Sequence, residues 1–194
     1  RAAGFTELVI NHAHLGMQIE DHLGDGSRLG VSIAWSDEGT PLETAGGIAR
    51  ALHRLGEAPF LVSNGDVYAE YDYDRLPVVL ADMAANPDRV AHLVLVDNPP
   101  HHPAGDFVLA DGRVFLPSPA GEGRKLTFSG IGCYRPELFA GITPGDKAKL
   151  APLLIAAMNA GKVTGEYFAG RWEDVGTPAR LHALDKELHD RITA

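Results

Sequence analysis

The sequence predicts an α/β fold with a mostly parallel sheet flanked by helices. Two observations predict it. Apolar runs typical of buried strands alternate with helical segments through the first half of the chain, and two aspartates, Asp66 and Asp174, each follow such a run. Strands that alternate with helices favour parallel pairing. In open sheets of this class, ligands bind at the carboxyl ends of the strands.

The elements follow from hydrophobic periodicity and turn residues. The first half is predicted to contain strands at 7–11, 31–35, 59–63 and 91–96 and helices at 15–23, 44–55 and 74–84. The second half is predicted to contain a hairpin (106–109 and 113–116), strands at 125–134 and 163–168, and helices at 149–158 and 178–189. Asp111-Gly112 is a strong signal for the hairpin turn. Gly- and Pro-rich stretches at 98–105 and 117–123 are predicted to be loops around a site.

Composition limits the class of protein. The 194 residues, 45% apolar and 22% charged, are typical of one globular domain, and we expect residues 1–194 to form it. The net charge of −9 disfavours a nucleic-acid partner. No apolar run approaches the length that spans a bilayer, so no membrane partner is expected. A single cysteine, Cys133, suits the reducing cytoplasm and is expected in the core. The oligomeric state is left open.

Asp66 and Asp174 are the first candidate site residues. Two carboxylates at strand ends can converge on one hard cation, and Mg²⁺ usually takes one or two carboxylates and leaves its other positions to water and phosphates. Aspartate is also common at caps and turns, so a purely structural role for each stays open.

Gly46 and Gly47 are the second candidate feature, because they open a helix directly before the strand that leads to Asp66. Adjacent glycines let a flat ligand approach the backbone, and exposed N–H groups at a helix start can bind a base edge or an anion. Plain helix capping is the alternative.

Three motifs resemble those of the sugar-1-phosphate nucleotidyltransferases: Leu-Glu-Thr-Ala-Gly-Gly-Ile at 42–48, Asn-Gly-Asp-Val at 64–67 and Trp-Glu-Asp-Val-Gly-Thr-Pro at 172–178. Further segments are similar to the N-acetylmuramate α-1-phosphate uridylyltransferases of that family: 4–12, 94–99, 101–102, 105–107, 126–131 and 149–154. The resemblance covers essentially the whole chain. It implies a Rossmann-like nucleotide-diphospho-sugar transferase fold.

The resemblance also implies the reaction and the roles of the residues. UMP would pass from UTP to a sugar 1-phosphate, N-acetylmuramate α-1-phosphate, giving UDP-sugar and pyrophosphate in cell-wall recycling. Asp66 and Asp174 would hold Mg²⁺, and Lys149 would clamp the sugar phosphate unless it is a solvated surface lysine. Nucleotide binding is assigned to Glu43, Thr44, Gly46, Gly47, Asn64 and Gly65. Sugar binding is assigned to Asn98, Asp106, Ser129 and Gly130.

The family begins with a strand and a glycine-rich phosphate-binding loop that have no counterpart in this sequence. The resemblance therefore implies an N-terminally truncated chain, which we expect to be inactive and poorly stable alone. Three other functions stay open. One is a glucose- or mannose-1-phosphate nucleotidyltransferase. The second is a non-catalytic nucleotide-sugar-sensing domain, which the two retained carboxylates disfavour. The third is a structural remnant that serves only as an oligomer partner.

Overall fold

The computed structural model describes residues 1–117 and 123–193. The chain divides into two compact units. The first comprises Arg1–Phe60, Tyr73–Ala91 and Cys133–Val163, and the second comprises Leu61–Asp72, His92–Gly132 and Thr164–Ala194. The expectation that residues 1–194 form one domain stays a prediction.

Helices and strands mostly alternate up to residue 96, and three further strands then follow one another before the next α-helix. The strands are β1 (Glu7–His12), β2 (Ser32–Asp37), β3 (Phe60–Ser63), β4 (Val67–Ala69), β5 (Ala91–Val96), β6 (Phe107–Ala110), β7 (Arg113–Phe115), β8 (Arg124–Tyr134), β9 (Val163–Tyr167) and β10 (Trp172–Asp174). The α-helices are α1 (Gly16–Leu23), α2 (Glu43–Leu55), α3 (Leu76–Ala85), α4 (Leu150–Asn159) and α5 (Pro178–Thr193). Short 3₁₀ turns lie at Ser27–Leu29, Tyr73–Arg75 and Pro136–Phe139.

In the first unit, β1 and β2 pair in parallel, with Leu8 opposite Ile33, as the alternating pattern predicts. Helix α2 buries the face that carries Ala45, Ile48 and Ala49, and it ends at Gly56. Spacing of apolar residues by three and four positions is what places them on one helix face.

An aromatic cluster lies in the core of the first unit. The ring of Phe139 lies 6.1 Å from that of Phe60 and 5.8 Å from that of Tyr134. Tyr134 and Phe139 have no exposed surface, and Cys133 is buried as expected. Burial in this apolar cluster raises the pKa of the Tyr134 hydroxyl, because the charged form would lose its water.

The second unit holds most of a six-stranded sheet with the strand order β3-β8-β5-β9-β7-β6. Strand β5 is buried along its whole length, in agreement with a sequence that is apolar except at His92, whose Nδ1 lies 2.9 Å from Oγ1 of Thr164. Strand β6 pairs antiparallel with β7 and with the first part of β8. The β6–β7 turn has positive φ at Asp111 (50°) and Gly112 (71°), so the predicted hairpin is confirmed.

The predicted elements agree with the structure apart from their ends, and the α/β class is confirmed. Two short strands were not predicted, β4 and β10, and they pair antiparallel with each other. The loop predicted at 117–123 falls largely on 118–122, which lie outside the described residues. Within the described ranges, no helix combines the length and apolar character that a membrane crossing needs.

Candidate active site

A pocket of about 300 Å³ lies in the second unit. It brings together six of the predicted site residues: Asn64, Asp66, Asp106, Ser129, Gly130 and Asp174. The other lining residues are Val67, Pro99, His101, His102, Thr127, Phe128 and Trp172. The loop that follows β5 therefore borders this pocket.

The β4–β10 pair brings Asp66 and Asp174 to this pocket. Asp66 directly precedes β4, and Asp174 lies opposite Val67 in the antiparallel register. The N–H of Val175 donates to the carbonyl of Asp66 over 2.9 Å. A methyl group on Gly176 would lie 3.0 Å from Oδ1 of Asp174 and 3.1 Å from Oδ2 of Asp66. The two carboxylates therefore face the same small volume.

The position of Asp174 corrects one expectation. The sequence placed it just past the strand predicted at 163–168, but β9 ends at Tyr167 and Asp174 closes a separate strand. That short strand exists because it pairs with β4, and no local periodicity announces a three-residue strand. Asp174 still lies at the carboxyl end of a strand.

Asp174 is held by three neighbours. The N–H of Gly176 donates to its Oδ1 over 2.8 Å, Nη2 of Arg180 lies 3.0 and 3.1 Å from its two oxygens, and Nε2 of His101 lies 3.5 Å from Oδ2. The Gly176 N–H above all, and then the Arg180 charge, hold the pKa of Asp174 below its ordinary value despite partial burial. Asp174 is therefore an anion at neutral pH.

Asn64, Ser129 and Gly130 form one wall of the pocket. The N–H of Asn64 donates to the carbonyl of Gly130 over 3.0 Å. Gly130 has φ of 81°, and a Cβ there would come within 2.9 Å of the Asn64 side chain, so this position needs glycine. Ser129 is 1% exposed, and its carbonyl accepts a hydrogen bond from Nε1 of Trp172 over 2.8 Å.

Asp106 lines the pocket as part of a hydrogen-bonded group. Its Oδ2 accepts a hydrogen bond from the N–H of Phe128 over 2.9 Å, and its Oδ1 lies 3.0 Å from Nε2 of His102.

Asn98 does not line the pocket. Its Oδ1 accepts the hydroxyl of Thr127 over 2.9 Å, so it fastens the loop after β5 to β8. Its role in sugar binding stays a prediction.

The remaining predicted residues lie in the first unit, except Gly65, which is exposed between Asn64 and Asp66. The N–H groups of Ala45 and Gly46 both donate to the carbonyl of Ala148 over 3.0 Å. A Cβ at Gly46 would overlap the carbonyl of Asp146, so close packing of the chain on itself requires this glycine.

Glu43, Thr44 and Lys149 are exposed beside this contact in the first unit. Glu43 has φ of 63° and an ion pair with Lys147, 3.7 Å away. Lys149 directly precedes α4, as predicted. A Cβ at Gly47 would overlap Oε1 of Glu38. This oxygen accepts a hydrogen bond from Nδ2 of Asn11 over 2.6 Å. The assignment of these residues to substrates stays a prediction.

Sequence reasoning missed Arg180 and did not assign a role to His101, although both contact Asp174. A signal for Arg180 was available, since a basic residue in the first turn of the closing helix follows Asp174 by six positions. No local signal indicated His101, because the fold of the loop after β5 decides which of the two adjacent histidines faces Asp174.

Known proteins resemble this chain along most of its length. Residues 1–191 match the family described as Nucleotidyl transferase. N-acetylmuramate alpha-1-phosphate uridylyltransferase from Neisseria meningitidis serogroup B is 53% identical over 183 residues, covering 93% of this chain and 78% of that protein. The protein of the same name from Caulobacter vibrioides is 32% identical and covers 96% of this chain and 79% of that protein.

The fold is also found among solved structures. HddC from Yersinia pseudotuberculosis in complex with GMP-PN superposes with a TM-score of 0.72 at 16% identity, covering 96% of this chain and 80% of that one. At this identity the likeness concerns the fold alone, and it agrees with the α/β fold expected from the sequence. The family match and the two relatives confirm the resemblance to the sugar-1-phosphate nucleotidyltransferases. The chain belongs to the nucleotidyl transferase family.

Proposed function

We propose that this protein transfers UMP from UTP to N-acetylmuramate α-1-phosphate. A phosphate oxygen of the sugar attacks the α-phosphorus of UTP, the bond to the β-phosphate breaks, and pyrophosphate leaves. The observation that carries the proposal is the 53% identity to the Neisseria uridylyltransferase over 93% of this chain. We place the reaction in the cytoplasm and in the recycling of cell-wall sugars.

We further propose that Asp66 and Asp174 hold a Mg²⁺ ion. The donor set fits this ion, because both residues offer carboxylate oxygens to one volume at the pocket wall. When bound, Mg²⁺ neutralises phosphate charge and orients the reacting groups.

The residues of this chain bind and orient the reactants, and none of them acts as a nucleophile. The N–H of Gly176 and the guanidinium of Arg180 keep Asp174 ionised and oriented. The N–H of Phe128 fixes the carboxylate of Asp106. This carboxylate and the side chain of His102, which lies within hydrogen-bond distance of it, can form hydrogen bonds with the hydroxyl groups of a sugar. Holding two reactants in line lowers the activation barrier by several kcal/mol, about 7–11 kcal/mol at best.

A substrate panel tests the proposal in the full-length gene product. Each of the four nucleoside triphosphates is paired with N-acetylmuramate, N-acetylglucosamine, glucose and mannose α-1-phosphates, and kcat/KM is measured from pyrophosphate release. We expect the highest value for UTP with the muramate substrate. A higher kcat/KM for glucose or mannose 1-phosphate would replace the proposal by the corresponding hexose enzyme. Binding of UDP-sugar without any turnover would indicate a sensing domain.

A further inference from the structure

The guanidinium of Arg180 covers the carboxylate of Asp174. Its Nη2 lies 3.0 Å from Oδ1 and 3.1 Å from Oδ2, so one donor group spans both oxygens. Arg180 lies in the first turn of α5, and its N–H donates to the hydroxyl oxygen of Thr177 over 3.3 Å. This hydrogen bond fixes the backbone of Arg180 at the start of α5, and a side chain on a fixed helix is positioned more precisely than one on a loop. The fold therefore places the guanidinium at Asp174.

Asp66 is different from Asp174. It is exposed, and within residues 1–117 and 123–193 its carboxylate accepts no hydrogen bond and forms no ion pair. Of the two carboxylates that face the volume beside Gly176, one is thus free and the other is already neutralised by a cation. A matched metal-binding pair would need no such cation.

The position of Arg180 has two consequences for a divalent cation at Asp174. Its hydrogen bonds fix the orientation of the carboxylate, which is what the partners of a metal ligand ordinarily do. Its positive charge, a few ångströms from the same oxygens, repels a free cation. A cation that arrives with nucleotide phosphates brings compensating negative charge, so the repulsion falls mainly on the free ion.

We propose that Arg180 is a positioning residue that orients Asp174 and weakens the binding of a divalent cation that arrives without nucleotide phosphates. The inference rests on the proposed metal pair Asp66 and Asp174. It assigns to this protein a preference for the metal–nucleotide complex over the free metal, with Arg180 as the residue that creates the preference.

The test is the affinity of the full-length protein for Mn²⁺ alone, measured by the electron paramagnetic resonance signal of the free ion with no nucleotide or sugar present. We expect Arg180→Gln to bind Mn²⁺ about three- to tenfold more tightly than the wild type, because a nearby positive charge is removed. Arg180→Lys, which keeps the charge, should remain close to the wild type. In turnover with Mg²⁺ and UTP, Arg180→Gln should lose kcat more than it changes KM for UTP.

Arg171→Gln is the matched control. Arg171 also forms an ion pair with α5, through Glu187, but it does not contact Asp174. This variant loses the same charge and likewise loses an ion pair that joins α5 to the segment of β10. It should lower Tm and leave the Mn²⁺ affinity unchanged.

The outcomes separate the inference from the function on which it rests. If Asp66→Asn and Asp174→Asn both leave the Mn²⁺ affinity of the wild type unchanged, the metal pair itself is wrong. If both weaken it while Arg180→Gln binds Mn²⁺ no more tightly than the wild type, the metal pair stands and the role of Arg180 is refuted. An equal gain in Arg171→Gln would also refute it, because the effect would then be one of net charge.

Discussion

The two carboxylates of the proposed metal pair, Asp66 and Asp174, differ in exposure and in hydrogen bonding. Asp66 is exposed and lies in the turn before β4, where it can adjust to a ligand. Asp174 is half-buried and is bonded by the Gly176 N–H and by Arg180, so its geometry is set before any ligand arrives. Preorganised groups cost the least reorganisation when charge develops in a reaction.

Asparagine at either position should remove most of the turnover of the full-length enzyme, with kcat falling by at least about 100-fold. The amide keeps the shape of the side chain and removes the charge that we assign to Mg²⁺ binding. Because the two carboxylates act as one unit, the double variant should be little worse than either single variant. Steady-state pyrophosphate release at saturating Mg²⁺ measures this.

Asp111→Asn is the control for that series. Asp111 lies in the β6–β7 turn with φ of 50°, where asparagine is equally well accommodated, and it does not line the pocket. It should keep both kcat and Tm. Turnover near that of the wild type in Asp66→Asn or Asp174→Asn would contradict the assignment.

At the scale of elements, α5 is fastened to β10 from both ends of the strand. Arg171, just before β10, pairs with Glu187, and Asp174, at the end of β10, pairs with Arg180. The hydrogen bonds from Arg171 hold the pKa of the Glu187 carboxyl below its ordinary value. The same helix therefore stabilises the strand that carries Asp174.

Glu187→Gln should lower Tm at pH 7 by a small amount, about 1–3 °C, because an ion pair whose carboxylate is half exposed contributes little. The pKa of Glu187 is lowered in the folded state. Its stabilisation is therefore complete above the ordinary value of 4.5 and is lost as the pH falls through the lower folded pKa. The Tm difference between variant and wild type should shrink below about pH 4.5 and vanish in stronger acid.

Glu57→Gln serves as the reference for that pH series. Glu57 is exposed, and its side chain forms no ion pair or hydrogen bond within the described part of the chain. The Tm of the Glu57→Gln variant should equal that of the wild type at every pH. A Tm difference for Glu187→Gln that persists unchanged in acid would show that the ion pair with Arg171 is not the source of the stabilisation.

At the scale of the whole molecule, the net charge of −9 disfavours the binding of a triphosphate unless a cation or local basic groups compensate its charge. Binding to the folded state alone raises stability by an amount set by the ratio of ligand concentration to Kd. UTP with Mg²⁺ at about 100 times its Kd should raise Tm of the full-length protein by roughly 5–10 °C. Thermal melting followed by calorimetry measures the shift.

The same melt without a divalent cation, in the presence of a chelator, should show a much smaller shift. Asp66→Asn and Asp174→Asn should reduce the shift with Mg²⁺ and UTP in the same way. This readout requires no turnover, so it separates loss of binding from loss of chemistry. An equal shift with and without Mg²⁺ would argue that nucleotide binds independently of the two carboxylates.

Much of the fold followed from local sequence. Three signals depend only on the preferences of residues close together in the chain: the nearly continuous apolar run of β5, the spacing of apolar residues in α2 and the Asp111-Gly112 turn. These elements were predicted with errors of a residue or two at their ends. The motifs around Asp66 and Asp174 likewise indicated the family and the carboxylate pair directly from the chain.

The pairing of β4 with β10 was decided only by the tertiary structure. It joins Val67 to Asp174, which are separated by more than half of the chain, and strands of three residues have no periodicity of their own to detect. The contact of Arg180 with Asp174, the turn of His101 toward it, and the use of Asn98 to fasten a loop follow from the same packing. The sequence by itself determined most of the elements and which carboxylates to suspect. The tertiary structure decided which side chains meet at those carboxylates, because non-local contacts depend on the packing of the whole unit.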